Sequence, residues 1–167
     1  MPELSANGPV ELNLLALIER LRKERDRLAG LPGFTERLGG LTALGQRVEG
    51  LLRAVFEAQC AAVGEPAERA FPTVTEAALR YDRASAGQVA YAVVAHAARH
   101  APADARVVAI VAELRGRESV LGALVELRNA TVHARAEAPK HELLALLDRA
   151  LARLTPMAAT PAGQTAS

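Results

Sequence analysis

Leucine, valine and isoleucine recur along this chain at spacings of three and four rather than two, the period of helices with one face turned to a core. From about Glu11 to Leu28, the side chains of Leu14, Leu17, Ile18, Leu21 and Leu28 share one side. Glu19/Lys23 and Arg22/Asp26 are i,i+4 pairs on the other, and Gly30, Pro32 and Gly33 stop the helix. Leu14, Leu21 and Leu28 are spaced by sevens, but two heptads are too few for an independent coiled coil. Packing inside a bundle is the preferred reading, with a dimer seam as its alternative. A second helix is predicted from about Leu41 to Val63, striped by Leu44, Val48, Leu51, Leu52, Val55, Phe56 and Cys60 and closed by Gly64 and Pro66.

Further along, Thr73-Val-Thr-Glu76 and Ser85-Ala-Gly-Gln88 both have the spacing of a capping box, in which a hydroxyl and a carboxylate or amide satisfy free N–H groups at a helix start. They predict helices near 74–82 and 86–100. Pro102 separates the latter from a short helix near 103–115, Ser119 caps another that reaches about Thr131, and Pro139 opens a last one through Leu154. No stretch alternates with period two for long, so helices are the only regular structure expected and the fold class is all-α. The domain is expected over residues 9–155, with 1–8 and 156–167 as flexible ends.

Composition bounds what such a bundle can do. The chain has 167 residues, half of them hydrophobic, enough for one ordinary core. Lys23 and Lys140 are the only lysines, so arginine supplies nearly all of the 20 basic residues, and 19 acidic ones reduce the net charge to +1. A broad electrostatic grip on nucleic acid is therefore disfavoured. The five dispersed aromatics, with no Trp, argue against base-stacking platforms. A lone Cys60 excludes an internal disulfide and a thiolate zinc site, and points to a reducing cytosol. No apolar run approaches the ~20 residues needed to span a bilayer.

Two segments concentrate chemistry. In His96-Ala-Ala-Arg-His100 the i,i+4 spacing puts both imidazoles on the side of Val89 and Val93, with Asp104 four residues on. The segment lacks the internal glutamate of a hydrolase motif, and Pro102 should break the helix before Asp104. No metal is assigned; His96 and His100 are read as core or interface histidines, with metal ligation as a subsidiary reading. The second segment is Val120 to His133. Val120, Leu121, Leu124, Val125, Leu127 and Val132 define its apolar face, and Arg128 falls near the centre of that face, where a guanidinium is costly unless a carboxylate, a phosphate or a hydrogen-bond network offsets desolvation. Asn129 and His133 lie on the polar flank. A continuous helix would hold Arg128 and His133 about 140° apart. Either the helix loosens near Thr131-Val132, or a second protomer completes a site. The structural alternative is an ion pair from Arg128 to Glu126 or to a carboxylate of another helix.

Arg128-Asn129-Ala-Thr-Val-His133 resembles the hallmark of the HEPN family, the higher-eukaryote and prokaryote nucleotide-binding helical domains: Arg, a polar residue, a short spacer, then His. Arg135 and His141 have a related spacing, but Ala136 stands where a polar residue is favoured and Pro139 interrupts the segment. The resemblance covers roughly residues 119–154; upstream it rests on all-α character alone. It implies an up-and-down helical bundle, dimeric, in which motifs of two protomers meet in a cleft and cleave RNA without a metal or other cofactor. Arg128, Asn129 and His133 become the expected catalytic residues. The implied setting is a cytoplasmic toxin-antitoxin or defence system, with RNA as substrate and an antitoxin or a larger defence complex as partner. Arg135 occupies the place where a subgroup paired with a nucleotidyltransferase antitoxin carries Tyr, so that partnership is not expected. The competing reading is a non-catalytic helical adaptor that dimerises or holds a partner subunit.

Overall fold

The computed structural model describes residues 8–132 and 136–160. Within them the chain folds into seven helices: α1 (Gly8–Gly30), α2 (Thr42–Ala62), α3 (Ala67–Thr75), α4 (Ala86–Arg99), α5 (Ala105–Arg115), α6 (Val120–Ala130) and α7 (Lys140–Ala158). They form an up-and-down bundle. Its centre is α2, which packs against α1 on one side and against α4 and α6 on others. That position follows from its sequence, because Leu44, Val48, Leu51, Leu52, Val55 and Phe56 are all buried, a band wider than one stripe. The leucines spaced by sevens on α1 are likewise buried, against α2 and α7, so the heptad serves the core of this one chain.

Local signals set most helix starts. Ser85 accepts from the Gln88 N–H while the Gln88 side chain accepts from the Ser85 N–H, completing the capping box of α4. Asp104 accepts from the N–H groups of Arg106 and Val107 to start α5, and Ser119 accepts from Gly122 to start α6. The other expected capping box fails. Thr73–Glu76 is the end of α3, with Glu76 in the left-handed region at φ 55°. Phe71 and Val74 are buried together with Ala67 and Ala70, so core contact draws the segment into the preceding helix. Residues 76–80 are irregular, and the expected helix is replaced by a single 3₁₀ turn over Tyr81–Arg83 that buries Tyr81.

The bundle also contains a small antiparallel ribbon that period-two reasoning missed, because each strand has only three residues. Strand β1 (Thr35–Arg37) pairs with β2 (Glu137–Pro139), Glu36 opposite Ala138. The Leu38 N–H donates to Ala136 O at 2.9 Å and the Lys140 N–H to Phe34 O at 2.8 Å, so the ribbon ties the α1–α2 connection to the start of α7.

The far end of α7 departs from expectation too. Pro156 lies inside the helix, which continues to Ala158. Its last carbonyls are held by Arg106, a 4% exposed guanidinium on α5. Arg106 Nε donates to Met157 O at 3.2 Å, and Nη2 donates to Ala158 O and Thr160 O. Residues 156–160 therefore belong to the folded unit. The expected flexible ends at 1–7 and 161–167 lie outside the described residues. No helix among the described residues is long and apolar enough to cross a membrane.

Candidate functional site

The site begins with where α6 stops. Its last helical residue is Ala130, and Thr131 caps it, with its N–H donating to Leu127 O and its hydroxyl to Arg128 O at 2.7 Å. The helix thus ends in a turn at Thr131-Val132, the place where loosening was one of the two ways expected to complete the motif. Val132, expected on the apolar face, is instead 67% exposed, because the face it was assigned to ends before it. His133 and Arg135 lie outside the described residues, so the motif's histidine is bracketed by Thr131 and Ala136 in sequence only.

Arg128 is half-buried, and its stem lies across α2 at Gly45. A β-carbon built on Gly45 would fall under 3.0 Å from Arg128 Cδ and 3.4 Å from its Cα and Cβ. Gly45 is buried at the close of the first turn of α2, a helical position where glycine costs roughly 0.5–1 kcal/mol relative to alanine. The absence of a β-carbon lets α2 and α6 approach with the arginine between them. Arg128 Nε is buried and has no hydrogen-bond partner. Among the described residues no carboxylate is within salt-bridge distance of Arg128, so the ion pair to Glu126 or another helix does not form.

Asn129 is exposed and reaches toward the first turn of α4, where a β-carbon on Gly87 would lie 3.8 Å from its Nδ2. That turn is positioned from below. Arg53 of α2 donates to Tyr81 O at 3.0 Å and Ala84 O at 2.8 Å, and its guanidinium carbon lies 4.9 Å from the Tyr81 ring centroid. The arrangement thus brings Arg128 and Asn129 to one end of the bundle, between the N-terminal halves of α2 and α4. Gly45 and Gly87 were missed in the sequence. A buried glycine within an apolar helical stripe is the signal that could have found the first.

The histidine pair behaves differently from the motif. His96 is 2% exposed and neither ring nitrogen has a hydrogen-bond partner, whereas His100 is exposed at the end of α4. Their ring centroids are 5.0 Å apart. Burial, and next the neighbouring His100, holds His96 below the ordinary imidazole range. As expected, α4 ends before Pro102, but Asp104 still lines the same cavity as both histidines. Among the described residues no group of three or more His, Cys, Asp or Glu is placed to hold a metal ion. Cys60 is buried and its thiol is pushed up to about 12, chiefly by desolvation.

Comparison of the chain with family models, with curated proteins and with solved structures finds no match.

Proposed function

We propose that the chain is a metal-independent endoribonuclease of HEPN type, acting as a homodimer in the cytosol within a bacterial toxin-antitoxin or defence system. The observation that carries this reading is Arg128. Its stem is seated on a glycine, its Nε is buried without a partner, and no carboxylate neutralises it among the described residues. An arginine kept for stability would be expected to have its charge compensated. One left uncompensated beside an exposed Asn129, at a helix end, suits an anion that arrives from solution.

Metal-free cleavage needs three things of the protein. A base takes the proton of the ribose 2′-hydroxyl as that oxygen attacks phosphorus, an acid protonates the departing 5′-oxygen, and cationic donors stabilise the phosphorane. His133 is assigned the proton work, for which an imidazole of pKa about 6.5 is suited at neutral pH. Arg128 grips phosphate oxygens with its planar fork as negative charge builds. Asn129 orients the phosphate as a neutral donor. The products are a 2′,3′-cyclic phosphate and a 5′-hydroxyl. With a net charge of +1, RNA engagement is local, confined to a cleft where two copies of the motif concentrate their basic groups.

Purified protein is expected to cleave RNA in the presence of EDTA, and Arg128→Ala or His133→Ala to abolish cleavage while melting and sedimentation stay unchanged. Full activity in both variants would sink the assignment. A second reading, a non-catalytic adaptor, is favoured by Leu12 and Leu15, which are 68% and 46% exposed on the outer side of α1. It predicts no cleavage by rigorously purified protein and loss of complex formation in Leu12→Glu.

A further inference from the structure

A cavity of about 280 Å³ lies at the opposite end of α2 from Arg128, between the last turns of α2 and α4 and the first turn of α5. From Gly45 to Gln59, α2 rises by ~21 Å at 1.5 Å per residue, so the cavity is separate from the motif. Its walls combine alanine, proline and valine side chains with Gln59, His96, His100 and Asp104. Buried polar atoms normally find partners. Here three that do not, Gln59 Oε1 and both ring nitrogens of His96, belong to two residues lining this one cavity.

The geometry points to this cavity as a binding site for a small, neutral molecule carrying a carboxamide or lactam. Gln59 sets the first requirement. Its Nε2 donates to Val93 O at 3.1 Å, which fixes the amide and leaves Oε1 as an acceptor that needs a donor. His96 sets the second. A neutral imidazole offers one N–H and one bare nitrogen, so the unmet groups call for a ligand with both donor and acceptor atoms, as an amide has. Pro102 and Val107, with the alanines around them, supply the apolar wall for the ligand's ring.

Charge selects against the alternatives. The α5 N-terminus, which could attract an anion, is already capped by the Asp104 carboxylate, which accepts from Arg106 and Val107. Among the described residues no three His, Cys, Asp or Glu side chains are placed together to hold a metal ion, the number a protein-held site uses. The volume is equivalent to roughly nine waters at ~30 Å³ each, which suits a single-ring compound.

The test is calorimetric titration of the full chain with nicotinamide and 2-pyridone, each a small ring bearing the proposed group. Saturable one-to-one binding in the micromolar to millimolar range is expected, weakened at least tenfold in Gln59→Leu and in His96→Phe. His96→Phe removes only orphaned polar atoms, so its melting temperature should hold or rise, whereas Gln59→Leu also gives up the bond to Val93 O and should melt lower by a few degrees at most. Nicotinate, a carboxylate in place of the amide, should bind at least tenfold more weakly. Should either variant fail to fold, the His96 ring nitrogen resonances of the unmodified protein must move on titration with nicotinamide. Absence of binding by either amide, equal binding by nicotinate, or occupancy by zinc ions or by water alone in the amide-soaked crystal would overturn the proposal.

Discussion

Replacing Gly45 by alanine sets two effects of known size against each other. In a helix interior the change should stabilise by about 1 kcal/mol, the propensity difference between the two residues. At this position the new methyl would stand under 3.0 Å from Arg128 Cδ, and inserting a methyl into close-packed surroundings costs about 1–3 kcal/mol. The net expectation is a loss of about 0–2 kcal/mol. In an Arg128→Ala background Cδ is gone, and what remains is contact at 3.4 Å with the Cα and Cβ of residue 128, which neighbours can accommodate. There the same substitution should stabilise by about 1 kcal/mol. The coupling between the two sites is therefore about 1–3 kcal/mol, measured as the non-additivity in a double-mutant cycle. Urea denaturation followed by far-UV circular dichroism reads it from the midpoints, provided the four m-values agree. If Gly45→Ala stabilises both backgrounds equally, with coupling below about 0.5 kcal/mol, Arg128 is not seated on Gly45 and the packing argued for it is wrong. RNA cleavage supplies a second readout, since an arginine pushed off its seat should lose activity even where the bundle absorbs the methyl.

Other consequences follow from single groups. Truncation after Thr155 removes the carbonyls that hold Arg106 and leaves its buried guanidinium only the 3.8 Å ion pair with Glu11, so stability should fall by about 3 kcal/mol, whereas truncation after Thr160 should cost little; thermal and urea unfolding distinguish these. His96 is held below the ordinary imidazole range by burial, so the unfolded chain takes up its proton first as pH falls. Its contribution to stability is constant above about pH 6.5 and is lost as pH drops below that value, and His96→Phe should flatten this part of the stability–pH curve. Cys60, with its thiol pushed up to about 12 and 1% of its surface exposed, should resist thiol reagents in the native protein at pH 8 and react once urea unfolds it.

The parts of this molecule that could be read from the sequence are those governed by neighbours three or four residues away. The stripe of α2, the Ser85–Gln88 box and the Ser119 cap depend on side chains reaching their own helix, and each falls where its spacing implies; the Asp104 cap follows the same local rule but was not read from the sequence. The same local grammar misreads Thr73–Glu76, because the spacing of a cap is also met at a helix end once Phe71 and Val74 have been claimed by the core. Arg128 and Asn129 were legible as a motif, and the polar turn after them as a helix end. His133 completes the motif in sequence alone.

What the tertiary structure decided is which distant residues meet. Gly45 is 83 positions from Arg128, yet the arginine's place depends on that missing β-carbon. Arg106 turns residues 156–160 from an expected tail into the closed end of α7, and Gln59 and His96 share a cavity although no spacing in the sequence links them. The physical reason is the range of the forces. Helix propensity and capping act within a turn and are written in short spacings, whereas close packing and the desolvation of polar groups depend on neighbours brought together only when the helices dock.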